Sequence, residues 1–134
     1  MVYQGIHCRL EIARLAGDAV LVKLTGWDVG EFGDAPLREL DGRLGAGKLE
    51  LFIDARSVKG ASIEVSNEWA QWLRRNRNRF EHVSMLTGAP FVQLTAKFVQ
   101  RFADLGEVMR IYTDATAFDA ALDAQTRKMG SVPI

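Results

Sequence analysis

Cysteine is almost missing from this chain, with Cys8 alone among 134 residues. An internal disulfide is excluded, and a reducing compartment, the cytoplasm, is the expected location. Charge of one sign is lacking as well, since 17 Lys and Arg balance 17 Asp and Glu. With no net charge there is no global field to draw the protein onto nucleic acid or an anionic membrane, and neither partner is expected. No apolar run approaches the roughly 20 residues that cross a bilayer, and residues 1–5 do not begin a basic-then-apolar leader. Histidine is scarce, and His7, Cys8 and His82 lack the close spacing of metal ligands. Neither a zinc site nor any cofactor is expected.

What is present is ordinary globular material. Hydrophobic residues make up 48% and charged residues 25%, far from the signature of disorder. Two cores would leave each half too small to bury enough surface, so residues 1–134 are expected to form one domain. Ile6, Cys8, Leu10 and Ile12 alternate with His7, Arg9, Glu11 and Ala13, a period of two that predicts a strand. A turn at Ala16, Gly17 and Asp18 leads to Val20, Val22 and Leu24, completing an antiparallel hairpin. Asp34 is placed to cap a helix with Pro36 in its first turn and Leu37, Leu40 and Leu44 at helical spacing, stopped by Gly45 and Gly47. Residues 49–53 read as a buried strand ended by Asp54, and residues 55–64 as a polar loop.

A helix follows on Val65, Trp69, Leu73 and Phe80, with Trp72 flanking its apolar side, and then a short strand on Val83, Met85 and Leu86. The turn Thr87-Gly88-Ala89-Pro90 opens the most regular helix of the chain, where Phe91, Leu94, Phe98 and Phe102 form an apolar stripe opposite Gln93, Lys97, Gln100 and Asp104. Gly106 ends it, residues 108–112 give a last strand, and Thr116 and Asp119 resemble a capping box opening a final helix whose tail frays from about residue 126. This order predicts an α/β fold with a mixed, mostly parallel five-stranded sheet, an N-terminal antiparallel hairpin and about four helices.

The element order and several stretches resemble the STAS family, which includes anti-sigma-factor antagonists and the cytoplasmic domains of sulfate transporters. Leu24-Thr25-Gly26-Trp27-Asp28 with Ala35-Pro36-Leu37-Arg38-Glu39-Leu40 is similar to the family's second strand and first helix, and Leu51-Phe52-Ile53-Asp54 to its central strand. A third stretch runs from Gly88 through Leu105-Gly106 to Leu122. The resemblance implies a non-enzymatic regulatory module that binds a protein partner, in some cases as a homodimer. It also implies a switch serine at the start of the helix after the central strand. Ser62 stands nearest that place, although Ala61 replaces the family's aspartate and Gly60 precedes the serine where the family has a following glycine. Ser66 is the other candidate, read as the N-cap of the Trp69 helix.

Ligands of open parallel sheets gather beyond the carboxyl ends of the strands, which singles out residues 54–66. Within them Asp54, Arg56 and Lys59 share one edge, suited to an anion or to an ordinary ion pair, and Ser62 and Ser66 are the phosphoacceptor candidates. Trp27, Phe32 and Gly88 are the candidates for a partner surface, Trp69 being read as an internal residue. Arg74, Arg75, Arg77 and Arg79 form the densest basic cluster but fan around their helix, as an exposed polar face does. His7 and Cys8, adjacent in a strand, point to opposite faces and do not make a nucleophile and base, so no enzyme is expected. The alternative reading is a small-ligand carrier or sensor with a nucleotide or lipid in an apolar pocket at the same edge.

Overall fold

The computed structural model describes residues 1–15, 18–45 and 47–130, without the side chains of 126–130. Its strands are β1 (Val2–Gln4), β2 (Cys8–Arg14), β3 (Ala19–Asp28), β4 (Leu49–Ala61), β5 (Phe80–Thr87) and β6 (Met109–Tyr112). The helices are α1 (Ala35–Asp41), α2 (Ile63–Arg75), α3 (Pro90–Phe102) and α4 (Ala115–Gly130). Strand order in the sheet is the order in the chain; β1, β2 and β3 pair antiparallel, and β3 to β6 pair parallel. The α/β fold and the mixed sheet agree with the sequence reading. The count of five strands does not: Val2–Gln4 adds a sixth by pairing with β2 at Val2↔Glu11 and Gln4↔Arg9. Three residues are too few for a periodic signal, and Ile6, expected within a strand, sits in the intervening turn and is 91% exposed.

Helices α1, α2 and α3 cover one face of the sheet over Leu10, Ile12, Val22, Leu51, Ile53 and Val83. On the other face Phe118 of α4, fully buried, meets the rings of Phe52 and Tyr112 edge-on at 6.0 and 5.7 Å. Deleting so enclosed a ring ordinarily costs roughly 3–5 kcal/mol. Cys8 is buried as expected from its alternation with exposed His7, and desolvation pushes its thiol up to about 11.

The largest correction concerns β4, which continues through Ala61 where a polar loop was expected. Residues 50–54 pair with both neighbours, but beyond Ala55↔Thr87 only β3 remains alongside among the described residues, through Thr25↔Ser57 and on to Asp28↔Ala61. A register shift between Lys23↔Asp54 and Thr25↔Ser57 bends this extension, and Arg56, Ser57 and Lys59 turn to solvent. Their polarity reflects a one-sided strand, not a loop. Helix α1 ends at Asp41 short of Leu44, and the Asp34 carboxylate pairs with Arg38 at 3.0 Å instead of capping. The helix after β4 ends at Arg75, so Phe80 belongs to β5. Trp72, placed at a flank by the sequence, is 1% exposed within the core and its indole N–H donates to Asp41 at 2.7 Å; Trp69 is the partly buried one. At the start of α4, Asp114 Oδ1 accepts from the Thr116 amide, in place of a Thr116 cap. The expected turn at Ala16 and Gly17 lies outside the described residues. Of the tail expected to fray, the backbone is helical to Gly130 and residues 131–134 lie outside the description.

Gly88 owes its identity to this packing: a Cβ there would stand 2.1 Å from the Arg56 carbonyl oxygen, a backbone atom with no room to yield. Gly88→Ala should lower stability by roughly 1–3 kcal/mol in urea unfolding. Gly45→Ala, where a Cβ meets nothing within 4 Å, should leave the midpoint nearly unchanged.

Candidate functional site

The extension of β3 and β4 past the end of β5 carries the residues singled out from the sequence, and the pleat distributes them over different surfaces. Asp54, 5% exposed, and Arg56 lie on the α4 face. The Arg56 Nε donates to both Asp54 oxygens at 3.0 and 3.1 Å, and its terminal nitrogens reach Asp119 of α4. Hydrogen bonds to Asp119 and Asp54 raise the guanidinium's pKa above its ordinary value. The pair is thus a clamp between β4 and α4, already satisfied internally. Lys59 points to solvent.

Ser62 opens α2. Its backbone is extended and its Oγ accepts the Val65 amide at 3.2 Å, the geometry of an N-cap. Ser66 is not that cap: it sits one turn into the helix, half-buried, on the wall of an internal cavity. The Ser62 amide donates to the Asp28 carbonyl at 2.8 Å, tying the end of β3 to the start of α2. Around this junction Trp27 is 48%, Val29 50% and Ile63 77% exposed. Trp27 faces Gly60 in the parallel register, and a Cβ on Gly60 would come within 2.4 Å of the indole, so the ring lies against bare backbone. The adjoining turn is held by Glu31, which accepts from the Ile6 and His7 amides at 2.7 and 2.9 Å. Phe32, offered by the sequence as a partner residue, instead packs half-buried on Tyr3 at 5.6 Å.

On the inner side of the same extension a cavity of about 100 Å³ opens between the sheet, α2 and α3. Leu24, Ile53, Val65, Trp69, Met85 and Val99 line it, with Asp28, Ser66 and Thr95 as its polar members. Asp28 is 7% exposed and one of its oxygens accepts from the Gly30 amide at 3.1 Å. Desolvation by burial holds its carboxyl above the usual aspartate value, with the Gly30 amide opposing the shift.

Helix α3 departs furthest from expectation. Val92, Ala96 and Val99 face the protein, whereas Phe91, Leu94, Phe98 and Phe102 are 64%, 65%, 50% and 37% exposed. Small residues win the inner position because they let the helix lie close to α2 and the sheet.

No family model and no curated protein matches the sequence. Among solved structures, an uncharacterized protein of the DUF3478 family with a SpoIIAA-like fold, from Shewanella loihica PV-4, aligns over 90% of this chain and 98% of its own, with a TM-score of 0.60 and 15% identity. The anti-sigma factor antagonist SpoIIAA in its unphosphorylated form aligns over 85% and 96%, with a TM-score of 0.55 and 14% identity. The chain has a SpoIIAA-like fold. At these identities the likeness is one of fold.

Of the residues around this extension, the sequence reading singled out Ser62 and Trp27 and passed over Val29, Ile63, Asp28 and the outward direction of the α3 stripe. For α3 the signal was legible: Val92, Ala96, Val99 and Ala103 form a second apolar set at helical spacing, more than one core face needs. Asp28 carried no such mark, because a polar residue at a strand end reads as solvent-facing.

The raised pKa of Asp28 sets a pH dependence. A carboxyl that ionises less readily when folded contributes its full stability below the unfolded value, ordinarily about 3.8, and loses it as pH rises through the higher folded value. Asp28→Asn keeps an acceptor for Gly30 and removes the titration. In urea titrations at stepped pH, the variant's stability relative to the native protein should rise from acid toward neutral pH; a constant difference would mean that Asp28 ionises as freely folded as unfolded.

Proposed function

We propose that this STAS-like domain is a non-enzymatic regulatory module of the cytoplasm that binds a protein partner through the edge bearing Trp27, Val29 and Ile63, and that Ser62 is its switch. The observation that carries the reading is the placement of three exposed apolar side chains around a helix N-terminus capped by a half-buried serine. Large apolar groups held on a rigid strand extension suit an interface, and a tryptophan is a common energetic anchor there. The solved protein of this fold described as an anti-sigma factor antagonist, in an unphosphorylated form, supports both parts of the proposal. A phosphate on Ser62 would add nearly two negative charges. The α2 amides favour that charge, while Glu64 in the first turn repels it, and the net effect falls on the surface that holds the partner.

Native lysate passed over the immobilised protein should yield a partner whose retention falls at least about tenfold with Trp27→Ala and with Ile63→Ser, and changes with Ser62→Asp. Circular dichroism should show all three variants folded. Ile63 is the cleaner probe, since Trp27 also packs on Gly60. Equal retention by Ile63→Ser would overturn the proposed surface, and equal retention by Ser62→Asp the proposed switch.

The second reading, a small-ligand carrier or sensor, is favoured by the apolar lining of the cavity between α2 and α3. Its size argues for second place: about 100 Å³ is less than the roughly 150 Å³ that accommodates benzene in an engineered core. A lipid or nucleotide would require the two helices to separate. Native mass spectrometry is expected to give the mass of the bare chain; a co-purified small molecule displaced by Ala96→Leu would favour the carrier.

A further inference from the structure

We infer that the outward face of α3 is a second docking surface, separate from the edge at Ser62, and that it takes an acidic amphipathic helix of another protein. Phe91, Leu94, Phe98 and Phe102 recur at intervals of three and four residues along one side of the helix. This is the seam along which two helices pack, about 16 Å long at the usual rise. The inner side of α3 is already filled by Val92, Ala96 and Val99, and among the described residues no helix or strand covers the seam. Along it Phe98 and Phe102 stack at 5.9 Å, and the Arg74 guanidinium of α2 sits 5.3 Å from the Phe102 ring centre. So large an exposed apolar stripe is unusual on a soluble surface that serves no contact.

Charge specifies the partner. Residues 90–102 contain no Asp or Glu, although the protein as a whole is neutral. Lys97 and Arg101 follow one flank of the seam and Arg74 stands at the other, all three exposed. Among the described residues, none of the three lies within ion-pairing distance of a carboxylate. Flanking charges of this kind choose the partner in paired helices. A second copy of this chain would set Lys97 and Arg101 against one another with no carboxylate on either helix. An anionic membrane ordinarily recruits through clusters of roughly 4–8 basic residues, more than the three that border this seam. A helix with a leucine-rich stripe and Glu or Asp on both sides matches the seam and all three cations.

The probe is a fluorescent synthetic helix of about 18 residues, with leucines at seam spacing and glutamates on both flanks, compared by anisotropy with a twin carrying lysines in place of the glutamates. The glutamate peptide is expected to bind at least about tenfold more tightly than its twin, and less tightly as salt is raised. Leu94→Ser with Phe98→Ser, both at exposed positions that spare the fold, should abolish binding. Lys97→Glu with Arg101→Glu should reverse the preference between the two peptides. Equal affinity for both peptides, or none for either, would overturn the inference. So would binding only to phosphatidylglycerol vesicles, which would assign the seam to a lipid surface, or a dimer in light scattering that Phe98→Ser dissolves. The edge at Ser62 is tested by different variants, so either surface can fail while the other stands.

Discussion

The unequal pairing of β4 governs the molecule. Its first half is held by β3 and β5, and its second half by β3 alone. The fully paired half is the buried floor of both hydrophobic layers, and between Glu50 and Asp54 it has the apolar run Leu51-Phe52-Ile53 that a strand covered on both faces requires. The half-paired extension has no second neighbour to satisfy and no helix over its full width, so it can carry polar side chains outward without cost to the core. From it come the clamp to α4, the wall of the cavity and the chain's entry into α2. A shorter β4 would end at Asp54, and Trp27 and Ser62 would share no rigid support.

The helix layer shows how little hydrophobicity says about direction. Helix α3 has two apolar sides, and the bulkier one lies outside. Close approach of α3 to its neighbours is set by volume, which selects Val92, Ala96 and Val99 for the interior. The phenylalanines, excluded by size, remain on the surface. On α2, Trp72 packs against buried Phe80 with its indole N–H donated to Asp41, and Trp69 stands at the cavity wall.

Much of the scaffold was legible in the sequence because the signals were local. Alternation in β2 and β3, proline and glycine at helix ends, and the order of elements sufficed for the α/β class and the mixed sheet. β1 was too short to show a period. The extension of β4 was hidden by Arg56, Ser57 and Lys59, whose polarity is the mark of a loop and equally of a strand with one open side. The site was legible only in part. Asp54 and Arg56 suited an anion or an ordinary ion pair, and the structure makes them the ion pair, joined by Asp119, which is distant in the chain; the Arg56 carbonyl that fixes Gly88 is equally distant. Ser62 was singled out for its place after the central strand, and its role as the cap of α2 emerged only with the backbone turn.

The buried thiol of Cys8 gives the molecule a practical property. With burial raising its pKa to about 11 and only 4% of the residue exposed, it reacts with electrophiles only slowly at neutral pH. A cysteine introduced on any exposed element therefore becomes a unique chemical address without first removing the native one. Spectroscopic labels or cross-linkers can be set separately on α2 and α3, so that the two surfaces report independently on what approaches them.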